Sequence, residues 1–104
     1  MSNVHSSDML NELEAIIADR KAHPQPDSYT NTLFNKGTPK IAQKVGEEAV
    51  EVVIAALAQT RERQISELGD LFYHTLVLMA QLDIRLDDVR SELARRHRKD
   101  ATHE

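Results

Sequence analysis

The chain has no cysteine and no tryptophan among its 104 residues. Thiol catalysis, disulfides and cysteine-ligated zinc are therefore excluded. It has only three glycines and four aromatic residues, Tyr29, Phe34, Phe72 and Tyr73, too few for a sandwich of short strands joined by tight turns. No apolar run approaches the roughly 20 residues of a membrane span. The opening MSNVHSSDML lacks the basic and then apolar stretches of a secretory signal. Positive charge is in deficit, with 13 Lys and Arg against 17 acids and a formal net charge of −4. That balance argues against a general nucleic-acid binder. The expectation is a soluble cytoplasmic protein, with no membrane or nucleic-acid partner. It forms one domain over residues 1–104, with frayed ends at about 1–5 and 100–104.

What is present is helical. Met9, Leu10, Leu13, Ile16 and Ile17 follow the i, i+3, i+4, i+7 spacing, with Ser6 or Ser7 as N-cap. His23-Pro24-Gln25-Pro26 cannot continue that helix, which should end near Ala22. Residues 27–37 read as a connection or a short helix closed by Gly37. Thr38-Pro39 is a helix start, a capping residue followed by proline. The second main helix should run to about Gln59, weakened at Gly46 by about 1 kcal/mol relative to alanine. A third should span about Arg61 or Arg63 to Gln81. A fourth starts near Leu86-Asp87-Asp88, where acids suit a helix N-terminus, and ends in the basic Arg95–Lys99 stretch. The fold class is all-α, a helical bundle.

The segments VVIAALA and LFYHTLVLMA each cover well over half of a helix circumference. A helix apolar nearly all round must be buried nearly all round. Four helices in so short a chain cannot bury two such elements, so self-association, most simply a homodimer, is expected.

The acids cluster beside these segments. At about 3.6 residues per turn, Lys40, Lys44, Glu47, Glu48 and Glu51 share a stripe about 100° wide. Arg63, Glu67, Asp70 and His74 share another. Each helix thus carries an acid-x-x-acid pair, Glu48 with Glu51 and Glu67 with Asp70, and a short turn should make the two helices antiparallel neighbours. Three explanations compete. The acids form a solvated face; or they pair with Lys44 and Arg63; or they hold a divalent cation. An all-oxygen ligand set without cysteine suits Mg²⁺, with Mn²⁺ as substitute, better than zinc or copper. Lysines on the same stripe would then meet substrate phosphates.

EEAVE at 47–51 followed by ELGD at 67–70 resembles the paired motifs of the all-α nucleoside triphosphate pyrophosphatases, the MazG-like superfamily. More narrowly, YTNTLFNKGTPKIAQKVGEEAVEVVIAA with ELGDLFYHTLVLM is similar to the phosphoribosyl-ATP pyrophosphatases of histidine biosynthesis. The resemblance runs from about Leu10 to Arg98 and includes no cyclohydrolase-like half, so the domain would be free-standing. It implies a four-helix MazG-like architecture completed by dimerisation. It also implies Mg²⁺-dependent hydrolysis of 1-(5-phospho-β-D-ribosyl)-ATP to the AMP derivative and pyrophosphate.

Carried over by position, Glu48, Glu51, Glu67 and Asp70 would be the metal ligands, with Glu47 or Glu48 accepting the proton of the attacking water. Lys36, Lys40 and Lys44 are candidates for phosphate contacts. Arg95, Arg96, Arg98 and Lys99 could meet the extra ribose phosphate, or merely solvate the last helix. His74 is expected to be a structural hydrogen-bonding group in the core or at an interface, with support of Asp70 as the alternative. Two other functions fit the same helices: a house-cleaning pyrophosphatase for nucleoside triphosphates, and a non-catalytic helical dimerisation module.

Overall fold

The computed structural model describes the backbone of residues 8–103 and the side chains of residues 8–98. Every regular element among the described residues is a helix: α1 (Met9–Ala22), α2 (Tyr29–Lys36), α3 (Thr38–Ala58), α4 (Arg61–Gln81) and α5 (Leu86–His103). The fold is all-α. None of these helices is long and apolar enough to cross a membrane.

Three helix ends differ from the sequence expectation. The N-cap of α1 is Asp8, whose carboxylate accepts from the Leu10 N–H at 2.7 Å. Ser6 and Ser7 lie outside the described residues, as does the expected frayed stretch at 1–5. An acid at this position caps the helix and also meets the positive end of its dipole. Thr38 is the first residue of α3 rather than its cap. Gly37 (φ +88°) both closes α2 and precedes α3. This left-handed backbone favours glycine, and it lets two helices follow with one residue between them. The Thr38 hydroxyl is instead committed to α4, accepting from Gln81 Nε2 at 2.9 Å. Finally, α5 runs through His103 instead of stopping in the basic stretch, because no glycine or proline follows to end it. Within α5, hydrogen bonds from Arg95 and Arg96 hold the Glu92 carboxyl down to about 2.

The stretch 27–37 contains a helix of eight residues, α2, capped by Ser28 Oγ, which accepts from the Asn31 N–H at 3.2 Å. Asn31 is buried and fully used. Its Nδ2 donates to the Arg20 carbonyl at 2.7 Å and its Oδ1 accepts from the Gln25 N–H at 2.8 Å. These bonds fasten α2 to the end of α1 across the Pro24-Pro26 turn.

Helices α3 and α4, 21 residues each, form an antiparallel hairpin turned at Gln59-Thr60, and theirs is the most extensive helix contact. Thr60 Oγ1 caps α4 by accepting from the Arg63 N–H. On α3 the seam residues recur at intervals of seven: Ile41 and Ala55 are 0% exposed, with Glu48 midway between them. On α4 the seam carries Glu67, Asp70, His74 and Val77.

The core lies at one end of this hairpin. Ile17 of α1, Leu33 of α2, Ile41 of α3, and Leu76 and Val77 of α4 form a single buried cluster. Lys21 of α1 reinforces this end, donating to the Ala80 carbonyl at 2.7 Å and to Asp83, whose positive φ of 60° turns the chain out of α4. Toward the hairpin turn the chain covers far less. Val50, Val53, Leu57 and Ile65 are all more than half exposed. Helix α5 is tied near its start, where the Leu86 N–H donates to Glu14 and Arg90 donates to Asn11, and it packs only sparsely on the other helices.

A candidate cation site in the α3–α4 seam

At the boundary between the closed and open ends of the hairpin, three carboxylates converge. One ligand oxygen each from Glu48, Glu67 and Asp70 lies within 4.8 Å of the others. The helical period places Glu67 and Asp70 one turn apart on α4, and the antiparallel register sets Glu48 opposite them. Glu67 is only 6% exposed, and Glu48 is partly buried in the seam. A solvated acidic face does not describe Glu48 and Glu67, whereas Asp70 is exposed.

Two cations offset part of the charge. Arg63 Nη2 lies 2.5 Å from Glu67, and Lys44 Nζ lies 3.6 Å from Glu48 and 3.5 Å from Glu47. The pairing expected from the sequence is thus present. It is also incomplete, since Asp70 has no ion-pair partner among the described residues and three acids face two cations. Partial burial would lower the Lys44 pKa, but the neighbouring Glu48 and Glu47 carboxylates outweigh it and hold the ammonium above its ordinary range. The donor set fits a hard divalent ion. Three carboxylate oxygens at this separation need only small adjustments to reach the roughly 3–4 Å spacing of octahedral ligands about 2.1 Å from their metal.

The other candidates are distributed around this group. Glu51 sits about one turn beyond Glu48 on α3, exposed and outside the converging trio. Glu47 is exposed too. A hydrogen bond from Gln43 Nε2 at 2.7 Å, then the Lys44 charge, keep its carboxyl below the usual range. Lys36, at the end of α2, and Lys40, on α3, form no ion pairs among the described residues. Arg95 and Arg96 are engaged with Glu92 on α5.

His74 is 6% exposed, and both of its ring nitrogens have hydrogen-bond partners. Its Nδ1 lies 2.7 Å from the Asp70 backbone carbonyl, and its Nε2 lies 3.0 Å from the Tyr29 hydroxyl. Beside it the Thr30 and Tyr73 hydroxyls are hydrogen-bonded, and burial raises the Tyr73 phenol. Sequence reasoning singled out His74 but not Tyr29, Thr30 or Asn31. Their signal was the run SYTN, a cap followed by three polar residues in a helix too short to need a solvated face.

A model of the phosphoribosyl-ATP pyrophosphohydrolase family matches residues 10–97. The chain belongs to that family. Among its relatives, a phosphoribosyl-ATP pyrophosphatase from Metallosphaera sedula is 54% identical over 90 residues, covering 86% of this chain and 97% of the relative. One from Pyrobaculum aerophilum is 52% identical over 91 residues, covering 88% and 97%. A histidine biosynthesis bifunctional protein HisIE from Oceanobacillus iheyensis is 49% identical over 86 residues, which cover 83% of this chain but 40% of that protein. The chain therefore corresponds to one portion of the bifunctional relative and to nearly the whole of the single-function ones. Its family makes it a hydrolase, and its helical fold agrees with the MazG-like architecture.

Proposed function

We infer that this chain hydrolyses 1-(5-phospho-β-D-ribosyl)-ATP to 1-(5-phospho-β-D-ribosyl)-AMP and pyrophosphate, a step of histidine biosynthesis. The reaction is cytoplasmic, depends on Mg²⁺ or Mn²⁺, and is carried out by a homodimer. What carries the inference is the convergence of Glu48, Glu67 and Asp70 in a chain half identical to pyrophosphatases named for that substrate.

Glu48, Glu67 and Asp70 hold the cation, with Glu51 as the nearest further carboxylate along α3. When bound, the cation neutralises triphosphate charge and makes water a better nucleophile. Arg63 orients Glu67 through their ion pair. Lys44 serves Glu48 as counter-ion, and its ammonium is the nearest cation to the trio from α3, so it is the first of the three lysines to meet a phosphate. Lys40 and Lys36, unpaired, extend that positive side toward Gly37. Glu47 or Glu48 accepts the proton of the attacking water. Exposure favours Glu47, since Glu48 is committed to the cation.

The dimer is supported by the open end of the hairpin. Val50, Val53 and Leu57 fall on one stripe of α3, and Ile65 and Phe72 on one of α4, all at least 49% exposed. Gly46 lies on the first stripe and Gly69 on the second, and nothing stands within 4 Å of a Cβ built at either. Missing side chains along an apolar stripe allow another backbone to approach closely.

A substrate panel tests the assignment. Mg²⁺-dependent pyrophosphate release from phosphoribosyl-ATP should exceed that from ATP, dCTP or dUTP by about 100-fold or more in kcat/KM, a ratio that requires polar contacts to the extra ribose phosphate. Equal cleavage of all four would indicate a house-cleaning enzyme. No cleavage, with no Mg²⁺-dependent nucleotide binding, would indicate a dimerisation module.

A further inference from the structure

We propose that Tyr29 and His74 are positioning residues for the cation site, a brace from α2 to α4 that fixes the backbone at Asp70. The protonation pattern follows from chemistry. A carbonyl oxygen can only accept, so the bond of 2.7 Å to Asp70 requires the proton on Nδ1 of His74. In the neutral ring Nε2 is then an acceptor, and the Tyr29 hydroxyl, 3.0 Å away, donates to it. A helical carbonyl already accepts from the backbone N–H four residues on. The Asp70 carbonyl thus receives both the backbone and the ring of His74.

Tyr29 is an unusual residue to spend on such a bond, because it is 50% exposed and its hydroxyl could be solvated. Instead its ring is held edge-on to His74 at 5.9 Å and stacked near Tyr73 at 6.1 Å. The neighbouring Thr30 bonds Tyr73, so α2 grips α4 through two consecutive residues. Simple core filling needs none of this directionality, and an apolar side chain at position 74 would avoid desolvating an imidazole.

The proposal rests on the hydrolase reading above, and its test separates the two. Tyr29→Phe keeps the ring and removes the hydroxyl. In His74→Asn the amide sits near the place of Nδ1, whereas in His74→Gln it sits near Nε2. Partners of metal-binding groups typically contribute about 10- to 100-fold in metal affinity or activity. Tyr29→Phe should therefore weaken Mn²⁺ binding to the substrate-free protein, read by calorimetry, by about 10-fold and lower kcat similarly, with Tm almost unchanged. His74→Asn keeps the Asp70 contact and loses Tyr29, so it should bind Mn²⁺ about as weakly as Tyr29→Phe; His74→Gln loses the Asp70 contact and should bind more weakly still, although both melt alike. Wild-type Mn²⁺ affinity in Tyr29→Phe, or equal affinities in the two His74 variants, would overturn the brace. Tyr29→Phe decides alone if either His74 variant does not fold. A wild-type protein that binds Mn²⁺ but cleaves no phosphoribosyl-ATP would overturn the substrate assignment and leave the brace to be judged on affinity.

Discussion

The two ends of the α3–α4 hairpin use the same aliphatic vocabulary and are finished in opposite ways. Where α1 and α2 cross it, Ile41 and Val77 are 0% exposed, and Lys21, Asn31 and Gln81 add cross-helix hydrogen bonds. Near the turn, Val53 is 56% and Leu57 83% exposed. The chain covers its first end by itself and leaves the second exposed. Glu48, Glu67 and Asp70 occupy the border. One side of them is braced by packed helices, and the other is open enough to admit a charged substrate. A cation site needs both, rigid ligands and an entry path.

Several substitutions break or sharpen this contrast. Asp70→Asn acts at the border and should reduce turnover by more than about 100-fold, beyond what outer partners of a metal cost. Its melting temperature should hold or rise, since a repelling charge is removed. Glu51→Gln, one turn outside the trio, should cost less in the same kinetic assay; an equal loss would extend the ligand set to Glu51. At the closed end, Ile41→Ala should lower unfolding free energy by about 2–5 kcal/mol in denaturant titration, the usual cost of truncating a buried aliphatic. At the open end, Leu57→Asp should change the stability of a lone chain by no more than about 0.5 kcal/mol. Light scattering should nevertheless show it falling to the 11.8 kDa mass of one chain. A dimer that survives Leu57→Asp would move the interface elsewhere. Gly46→Ala probes the same face more gently. Added to the Leu57→Asp chain it should stabilise by about 1 kcal/mol through helix propensity, because its methyl meets nothing. In the wild-type background the same methyl should weaken association.

The helices were legible because their period and punctuation are local. Pro24 and Pro26, Gly37, and Thr60 before Arg61 mark boundaries that depend on a few neighbours. The capping role given to Thr38 was not legible, because a glycine in a left-handed conformation took the position and Gln81, 43 residues away, took the hydroxyl. The acid pairs were visible for the same local reason, three residues being about one turn. Which acids converge was not visible, because it depends on the register of α3 against α4. That register brings Glu48 to the α4 pair and leaves Glu51 outside. The Tyr29–His74 contact spans 45 residues, and no periodicity links them. Family resemblance supplied the substrate, which no distance among these side chains specifies.

The most direct test is the anomalous difference map of a crystal soaked in Mn²⁺. A peak bounded by carboxylate oxygens of Glu48, Glu67 and Asp70 is the expected result. A map with no peak there at saturating Mn²⁺, or with the ion seated on other residues, would contradict the site on which the proposed function depends.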